Sequence, residues 1–488
     1  MSDVYDMEEV EKARAILEAG RPEEAFVVLK ELLESASEES LSRDGWRLHE
    51  MIGACFHDMA DGEGSVQAYL QAAQSDIYLR SQREHFSNYL FALHYLPGLS
   101  NDWLRGQHFI YGSLYRDVEP LPPLEHERHE KMRIGYIAPD FLERSAARFY
   151  DVMLTGYDRS RFEVYCYSMS IREDAFTKHV KDGVKVYRCI EELSLEEGAI
   201  LIQQDELDIL FDLGGHSAGG TTLQVMSYRP APVQISGIGY FDTTGLPSMD
   251  YFLTDEILVP RGMEAQFSEK LLRLSSAFAF VPDEAMRSTP SAERLNGETF
   301  VFGCFNNFMK LNGEVLETFR EILIGFPEAR LVLQDTTGMD SRKKSMENRV
   351  VEAGFPMNRV DVRKGENEYL RSIADVDVML DPWPYPGGAM TCTALYMGVP
   401  VITLAGTRHG SRFGMSILEA AGLSEFVADN RDEYVANAVA LMEDVPRRRL
   451  LRKNLRRQLE QSPLMGAETW MRELEENFAV IRERRNDE

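Results

Sequence analysis

The chain has 488 residues, 44% of them hydrophobic and 27% charged, which is typical of a globular protein with about three domains. With 53 Lys and Arg against 80 Asp and Glu, its net charge of −27 opposes non-specific binding to nucleic acid or to an anionic membrane. We therefore expect no nucleic acid among its partners.

The N-terminus is acidic and lacks a signal-peptide pattern, and no stretch approaches about 18 uninterrupted apolar residues. The five cysteines are far apart, and they show no C-x-x-C spacing of the kind used in zinc or redox sites. We expect a cytoplasmic protein without a membrane span.

Residues 1–116 carry apolar positions at helical spacing and predict a helical, tetratricopeptide-like repeat region. Two helix pairs are predicted over 9–35 and 48–76, and two more helices over 85–96 and 101–115. Stacked helix pairs either bind an extended peptide or brace the domain that follows, and both roles stay open.

A Pro-rich, charged stretch at 117–131 predicts a linker. After it, strand and helix patterns alternate in two series, over 132–290 and 291–445, and charged helices follow over 446–488. Strands separated by helices indicate a parallel sheet covered on both faces. The predicted fold class is therefore α/β, with two Rossmann-like domains after the helical repeats. The predicted strands are 132–138, 162–168, 184–187, 207–213, 233–238, 299–303, 329–334, 360–362, 376–380 and 399–404.

Two segments of the second series have the features of a nucleotide-binding cleft. Cys304-Phe-Asn-Asn-Phe-Met-Lys310 follows a strand end, and its lysine can face a diphosphate. Asp381-Pro-Trp-Pro-Tyr-Pro-Gly-Gly388 leads from a strand through a Pro-rich turn to a helix start, where backbone N–H groups can bind an anion. Either segment alone is common geometry, and a family resemblance makes the pair specific.

Over about residues 85–445, the chain resembles bacterial members of the O-linked N-acetylglucosamine transferase and SPINDLY family. That family joins tetratricopeptide repeats to a two-Rossmann-domain glycosyltransferase of the GT-B type. The resemblance rests on the two segments above together with Arg133-Ile-Gly-Tyr-Ile-Ala-Pro-Asp-Phe141, Asp212-Leu-Gly-Gly-His-Ser217, Arg229-Pro-Ala-Pro-Val-Gln234, Gly239-Tyr240, Met249-Asp-Tyr-Phe-Leu-Thr-Asp255 and Met397-Gly-Val-Pro400.

The resemblance implies inverting transfer of GlcNAc or another hexose from a nucleotide donor, commonly UDP-linked, to Ser or Thr of a protein or peptide. It implies neither a metal nor another cofactor. The only D-x-D sequence, Asp375-Val-Asp377, stands beside an apolar run and predicts a strand lead-in rather than a metal site. A metal-free enzyme must meet the diphosphate charge with a lysine, backbone donors and a helix dipole.

By motif position, Lys310 matches the family's diphosphate-contacting lysine, and Asn307 stands where a nucleotide-contacting glutamine is usual. Asp205 falls where the family has an acidic residue considered for proton removal. His216 lies in a glycine-rich turn on the acceptor side and is a candidate base, or else it holds its turn by hydrogen bonds. The remaining predicted contacts to the nucleotide are Tyr369, Gly387, Gly388, Ala389, Met390, Thr393 and Arg412.

A basic loop at Arg408, His409 and Arg412 follows the last predicted strand, and it either approaches phosphate or is simply exposed. On the acceptor side, the predicted residues are Arg144, Arg148 and Tyr240.

Several cleft positions depart from the family pattern. Arg144 and Arg148 replace two histidines, and an arginine cannot act as a base, although its fork can hold phosphate or carboxylate. Ala389-Met390 replaces a threonine pair, Thr393 replaces a ribose-contacting aspartate, and Phe241-Asp242 replaces Pro-Gly. These changes suggest an altered donor, an altered acceptor or lost activity.

Two hypotheses of function follow. The leading one is a glycosyltransferase that acts on a protein or peptide. The alternative is a non-catalytic glycosyltransferase-like subunit that binds acceptor protein and assists a partner enzyme.

Overall fold

The computed structural model describes residues 7–124, 129–290, 299–366 and 369–486. Its first part consists of helices that each pack against the next one along the chain. Side-chain oxygens of Ser37, Asp61 and Ser100 accept backbone N–H groups at the starts of α3, α4 and α6, so the local sequence defines where these helices begin. The helices are α1 (Met7–Glu18), α2 (Pro22–Ser35), α3 (Glu38–Asp58), α4 (Gly62–Ser75), α5 (Leu79–Leu93) and α6 (Asn101–Ser113).

The first α/β domain contains a seven-stranded parallel sheet in the order β3-β2-β1-β4-β5-β6-β7. Strands β1 and β4 are almost wholly buried, because helices cover both faces of the sheet. The strands are β1 (Met132–Ala138), β2 (Phe162–Ser168), β3 (Val186–Cys189), β4 (Ile209–Asp212), β5 (Val233–Ser236), β6 (Tyr251–Thr254) and β7 (Lys270–Arg273). The helices are α7 (Ala147–Thr155), α8 (Ala175–Gly183), α9 (Leu195–Gln204), α10 (Thr221–Met226) and α11 (Glu284–Ser288).

The second α/β domain contains a six-stranded parallel sheet in the order β10-β9-β8-β11-β12-β13. The strands are β8 (Val301–Cys304), β9 (Arg330–Gln334), β10 (Val360–Arg363), β11 (Val378–Leu380), β12 (Val401–Leu404) and β13 (Val427–Ala428). The helices are α12 (Gly313–Gly325), α13 (Asp340–Glu352), α14 (Tyr369–Ala374), α15 (Ala389–Tyr396) and α16 (Phe413–Ala420).

The predicted fold class is confirmed: two Rossmann-like domains follow a helical region. Three strands, β6, β7 and β13, were not predicted from the sequence. They are only two to four residues long and lie toward one end of their sheets, so their apolar pattern is weak. Residues 125–128 of the predicted linker, and residues 291–298 at the predicted start of the second domain, lie outside the described residues.

The C-terminal helices serve both α/β domains. Helices α17 (Arg431–Glu443) and α18 (Val445–Glu460) pack on the second domain, whereas α19 (Ala467–Asn486) returns to the first. There the Trp470 indole N–H donates to the Ser276 carbonyl at 2.8 Å, and Phe478 is buried in the core of the first domain. Within the described residues, no helix combines the length and apolar character that a membrane crossing needs.

The helical region touches both α/β domains. Helix α5 packs on the turn at 217–220 of the first domain, while Ala60 and Tyr95 are buried in the core cluster of the second. Near the start of α6, the Asn101 amide donates to the Thr407 carbonyl at 3.0 Å. The helical region therefore braces the domain pair, as one of its two predicted roles requires.

Candidate functional site

The carboxyl edges of the two sheets face each other across the domain boundary. Phe241, in the loop after β5, stacks against Tyr385, in the loop after β11, with ring centroids 4.4 Å apart. The Phe241 carbonyl also accepts a hydrogen bond from His409 Nδ1, after β12, at 2.9 Å. Because loops that follow parallel strands line the ligand crevices of such sheets, the candidate site lies between these two edges.

Lys310 brings the two predicted segments together. It ends a 3₁₀ turn at Phe308–Lys310 directly after β8, and its Nζ donates to the Pro386 carbonyl at 2.8 Å. The same ammonium lies 3.8 Å from the centroid of the Tyr385 ring. Burial lowers the pKa of Lys310, and the nearby Asp381 carboxylate opposes that shift.

Asp381 holds the Pro-rich turn closed, a role that the sequence analysis missed. Its carboxylate accepts the Gly387 N–H at 2.7 Å and the Thr403 hydroxyl at 3.0 Å, and burial raises its pKa. A Cβ at position 387 would stand 2.5 Å from Thr391 Oγ1 and 2.9 Å from the Asp381 carboxylate, so only glycine fits there. The Gly387 N–H is therefore committed within the protein, which corrects the prediction that it is free to bind an anion.

Helix α15 begins immediately after this turn, with Gly388 as its N-cap and without a side-chain cap. The first N–H groups of such a helix have no partner within the helix, and the dipole favours an anion there. A Cβ at Gly388 would lie 3.6 Å from the Phe149 ring of α7, so the first domain closes over this helix start.

The three side chains that replace the family's polar contacts offer little to a ribose or phosphate. Ala389 is buried, and Met390 packs against the core cluster of the second domain. Thr393 is buried, and its hydroxyl donates to the Ala389 carbonyl at 2.7 Å, inside its own helix. The Thr393 hydroxyl therefore offers no contact to a ribose in this structure, unlike the aspartate that the family pattern has at this position.

Arg148, at the start of α7, is engaged by carboxylates. Its Nη2 donates to Glu143 at 2.9 Å and to Asp283 at 2.5 Å. Tyr369, at the start of α14 in the second domain, is close enough for the charges of Asp283 and Arg148 to act on its pKa, which burial raises. The structure thus places Tyr369 near Arg148, whose positive charge is already balanced by the carboxylates of Glu143 and Asp283.

Arg144 forms a bidentate pair with Asp140, at 2.9 Å and 2.7 Å, and about half of its side chain is exposed. To bind a phosphate, Arg144 or Arg148 would first have to break its ion pair with a carboxylate. Their predicted acceptor-side role stays a prediction.

His216 is fully buried, and both of its ring nitrogens are occupied. Nε2 donates to the Thr244 carbonyl at 2.9 Å, and Nδ1 accepts from the Ser87 hydroxyl of α5 at 3.0 Å. Burial lowers its pKa well below the usual range. This geometry matches the alternative in which the histidine holds its turn, and it argues against a role as the base.

Tyr240 is buried rather than open to an acceptor. Its hydroxyl donates to His108 Nε2 at 2.7 Å and accepts from His94 Nε2 at 3.0 Å, because His108 Nδ1 donates to a backbone carbonyl. With Asp242, the two histidines bring possible metal ligands within 4.8 Å of one another. The Tyr240 hydroxyl already lies between the two imidazoles, and the Arg408 cation acts on His94 and Asp242, so this cluster does not suit a metal ion.

Asp205 lies toward the amino edge of the first sheet, whereas the cleft lies at the carboxyl edge. It follows α9 and precedes β4, so it belongs to the amino edge of the strands. Its carboxylate accepts from the Tyr167 hydroxyl at 2.7 Å and from the Arg188 guanidinium at 2.6 and 2.9 Å. These contacts argue against Asp205 as the group that removes a proton at the cleft, and that role stays a prediction.

The basic loop after β12 is largely buried, which argues against the alternative of a simply exposed loop. Arg412 Nε donates to the Ile257 carbonyl of the first domain at 2.6 Å, and its Nη1 donates to the Gly406 carbonyl at 2.9 Å. Arg412 therefore joins the two domains, and its predicted contact with the nucleotide stays a prediction. Arg408 Nη1 and His409 Nε2 are buried without a hydrogen-bond partner.

Asn307 caps the 3₁₀ turn by accepting the Met309 N–H at 3.0 Å. Its Oδ1 also accepts from Arg342 Nη1 at 2.6 Å. The D-x-D sequence behaves as predicted: Asp377 leads into β11 and accepts the Val301 N–H at 2.8 Å at the amino end of β8.

Comparison with known proteins identifies the family of the chain. The model of Glycosyl transferase family 41 matches residues 121–287 and 280–474. A relative in Oryza sativa subsp. japonica, called a probable UDP-N-acetylglucosamine--peptide N-acetylglucosaminyltransferase SPINDLY, is 34% identical over 428 residues. The aligned region covers 85% of this chain and 45% of that relative.

A second relative, the probable UDP-N-acetylglucosamine--peptide N-acetylglucosaminyltransferase SEC of Arabidopsis thaliana, is 27% identical over 384 residues, covering 73% of this chain and 39% of that protein. The chain thus spans less than half the length of these curated relatives. Among solved structures, a mutant of the Thermobaculum terrenum O-GlcNAc transferase has a TM-score of 0.85 and 28% identity, covering 95% of this chain and 88% of that one.

Proposed function

The chain belongs to glycosyl transferase family 41, and on this premise we propose that it transfers a sugar from a nucleotide donor to Ser or Thr of a protein or peptide. In this reaction the hydroxyl oxygen bonds to the anomeric carbon from the face opposite the nucleotide. The bond from that carbon to the diphosphate breaks, the electron pair stays on the diphosphate, and the hydroxyl proton passes to a diphosphate oxygen or to water. The anomeric configuration is inverted.

The position of Lys310 carries this proposal. Its ammonium lies at the carboxyl edge of the second sheet, between the turn after β8 and the turn that leads into α15. A diphosphate placed there would meet one cation and the uncapped start of a helix. Since the negative charge on the diphosphate grows as the sugar leaves, these groups stabilise the transition state more than the bound donor.

No metal is part of the proposal. The D-x-D sequence leads into a strand, and the buried cluster at His94 and His108 is filled by the Tyr240 hydroxyl. A lysine and helix N–H groups can supply the positive charge that a divalent cation supplies elsewhere.

The donor is proposed to be a nucleotide sugar, with UDP-N-acetylglucosamine as the first candidate, because the relatives are named for it. Ala389, Met390 and Thr393 give no polar side-chain contact to a ribose in this structure. Specificity for the nucleotide therefore rests on Asn307, on Tyr369 and on backbone groups.

We also propose that the protein acts in a reducing compartment such as the cytoplasm. All five cysteines are free thiols, and Cys189 is exposed among them. Disulfides form and persist mainly in oxidising compartments.

A second candidate function is a non-catalytic subunit that binds acceptor protein and assists a partner glycosyltransferase. The observation in its favour is that Arg148 and Arg144 stand in place of two histidines and are both paired with carboxylates. The half-buried lysine at 310 argues against it, because a chain without a diphosphate to bind gains nothing from keeping a desolvated cation there.

The test is a transfer assay with the full chain. Purified protein is incubated with UDP-N-acetylglucosamine and a library of Ser- and Thr-containing peptides, and mass spectrometry follows the added hexosamine. The proposal predicts a peptide that gains the sugar with wild-type protein and not with Lys310→Met. Donor binding without transfer to any peptide, but with transfer once a second glycosyltransferase is added, would favour the non-catalytic subunit.

A further inference from the structure

One buried arginine links the helical region to the loop that carries Asn307 and Lys310. Arg342, on α13, has a side chain that is 1% exposed. Its Nη1 donates to Asn307 Oδ1 at 2.6 Å, and its Nη2 lies 3.3 Å from Nε2 of His57, near the end of α3. The Nδ1 of His57 lies 3.1 Å from the Asp58 carboxylate. We propose that Arg342 is a positioning residue that makes donor binding depend on the docked helical region. The proposal rests on the function proposed above for this loop.

The contacts around Asn307 explain how Arg342 acts on Lys310. The Asn307 side chain caps the 3₁₀ turn whose last residue is Lys310, and the Lys310 N–H donates to the Asn307 carbonyl at 2.9 Å. The Phe308 N–H donates to Asp335 Oδ1 at 2.9 Å, and the other oxygen of Asp335 lies 3.9 Å from Arg342 Nη1. Arg342 therefore contacts both groups that fix the turn.

A second set of contacts docks the turn between α3 and α4 on α13. The Ser341 hydroxyl donates to the Asp58 carbonyl at 2.9 Å, and Arg349 Nη1 donates to the Ala60 carbonyl at 3.3 Å. Arg349 Nη2 also donates to the carbonyl of Leu311, the residue that follows Lys310. The end of α3 and the turn that follows it thus connect through Arg342 to Asn307 and through Arg349 to Leu311, at the two ends of the loop that carries Lys310.

Arg342 is poorly suited to a purely stabilising role. Its nearest carboxylate oxygen is 3.9 Å away, and its Nε is buried without a hydrogen-bond partner. A buried cation held mainly by neutral acceptors recovers little of its desolvation cost, and an apolar side chain of similar length is often tolerated in its place. What only the guanidinium supplies is a fork that holds Asn307 and His57 at once.

The experiment measures hydrogen exchange in the full-length protein without ligand, comparing wild type with Arg342→Met. The amides of residues 308–311 are all hydrogen-bonded to Asp335 or within the turn, so their exchange reports its order. We expect their exchange to speed up by about tenfold in the variant. Lys344→Met is the matched control, because Lys344 is an exposed residue of the same helix whose ion pair with Glu23 is also exposed, and the substitution should leave these amides unchanged.

The second measurement is the affinity for UDP, by calorimetry. Loss of one charge-assisted hydrogen bond to Asn307 should weaken UDP binding by roughly tenfold in Arg342→Met. His57→Ala should weaken it in the same direction, and His57→Gln should restore it, because the glutamine oxygen can accept from Arg342. If Arg342 had a merely structural role, its substitution would lower thermal stability, but UDP affinity would not fall in His57→Ala and recover in His57→Gln.

The outcomes separate the two proposals. Unchanged exchange at 308–311 in a folded Arg342→Met protein, or equal changes in Lys344→Met, would overturn the positioning role. Faster exchange in Arg342→Met, together with no UDP binding by wild type, would support the positioning role and refute UDP as the donor nucleotide.

Discussion

Lys310→Met gives the sharpest prediction, because methionine keeps the length of the side chain and removes its charge. In the structure the ammonium contributes one hydrogen bond, to the Pro386 carbonyl at 2.8 Å, and one contact with the Tyr385 ring. Neither holds the core together, so the variant should fold.

The effect on the rate follows from the charge that is lost. Two unit charges about 4 Å apart, at an effective dielectric constant of about 20, interact by about 4 kcal/mol. At about 1.4 kcal/mol per factor of ten, this corresponds to roughly a thousandfold loss of kcat. Removing one donor from an oxyanion site costs about a hundredfold to a thousandfold, so the loss should fall in that range.

The assay is single-turnover transfer from UDP-N-acetylglucosamine to a peptide identified with wild-type protein, with thermal unfolding as a check on folding. Lys310→Arg keeps the charge and should retain much more activity than Lys310→Met. A folded Lys310→Met protein that turns over within about threefold of wild type would exclude this role for Lys310, because stabilisation of the leaving diphosphate is worth several kcal/mol.

Three further predictions follow from the geometry. Gly387→Ala should reduce donor affinity and thermal stability, because its Cβ would stand 2.5 Å from Thr391 Oγ1; calorimetry and thermal unfolding measure both. The value of kcat/KM should fall as the pH rises, and the fall should begin below about pH 10.4, the usual lysine pKa. The reason is that burial lowers the pKa of Lys310 and only the ammonium is active. Asp205→Asn should lower the free energy of unfolding by about 1–2 kcal/mol in urea titrations and leave kcat within about threefold, because its partly exposed pair with Arg188 supports the far edge of the sheet.

Each of these predictions has its own control. Gly313 has no atom near the position of its missing Cβ, so Gly313→Ala should lack the packing effect of Gly387→Ala. In Lys310→Arg the alkaline loss should disappear, because arginine stays protonated. A large fall in kcat for Asp205→Asn, without a change in stability, would restore Asp205 as a participant in the reaction.

The sequence predicted the elements whose pattern is strong. Strand β1 and the alternation of strands and helices follow from continuous apolar runs between polar loops, so both Rossmann-like domains could be found. Strand β13 has only two residues, which is too short for any periodicity to appear.

The candidate site could be predicted only in part. Lys310 and the turn at Gly387 lie in contiguous motifs, so their approach follows from two strand ends of one parallel sheet. Arg342 and Asp381 act through partners far along the chain, such as His57 and Thr403, and no local pattern shows such contacts. His216 was ambiguous because a histidine in a glycine-rich turn is the same in sequence whether its nitrogens are free or bonded.

A donor site at Lys310 is best tested by comparing the thermal unfolding of wild type and Lys310→Met with UDP-, GDP- and dTDP-linked sugars. A ligand at about a hundred times its dissociation constant stabilises the folded state by about 2.7 kcal/mol, which such a scan detects. If Lys310 lies in the donor site, Tm should rise with at least one nucleotide sugar for wild type and rise much less for Lys310→Met. No rise with any of these donors, or an equal rise in both proteins, would contradict a donor site at Lys310.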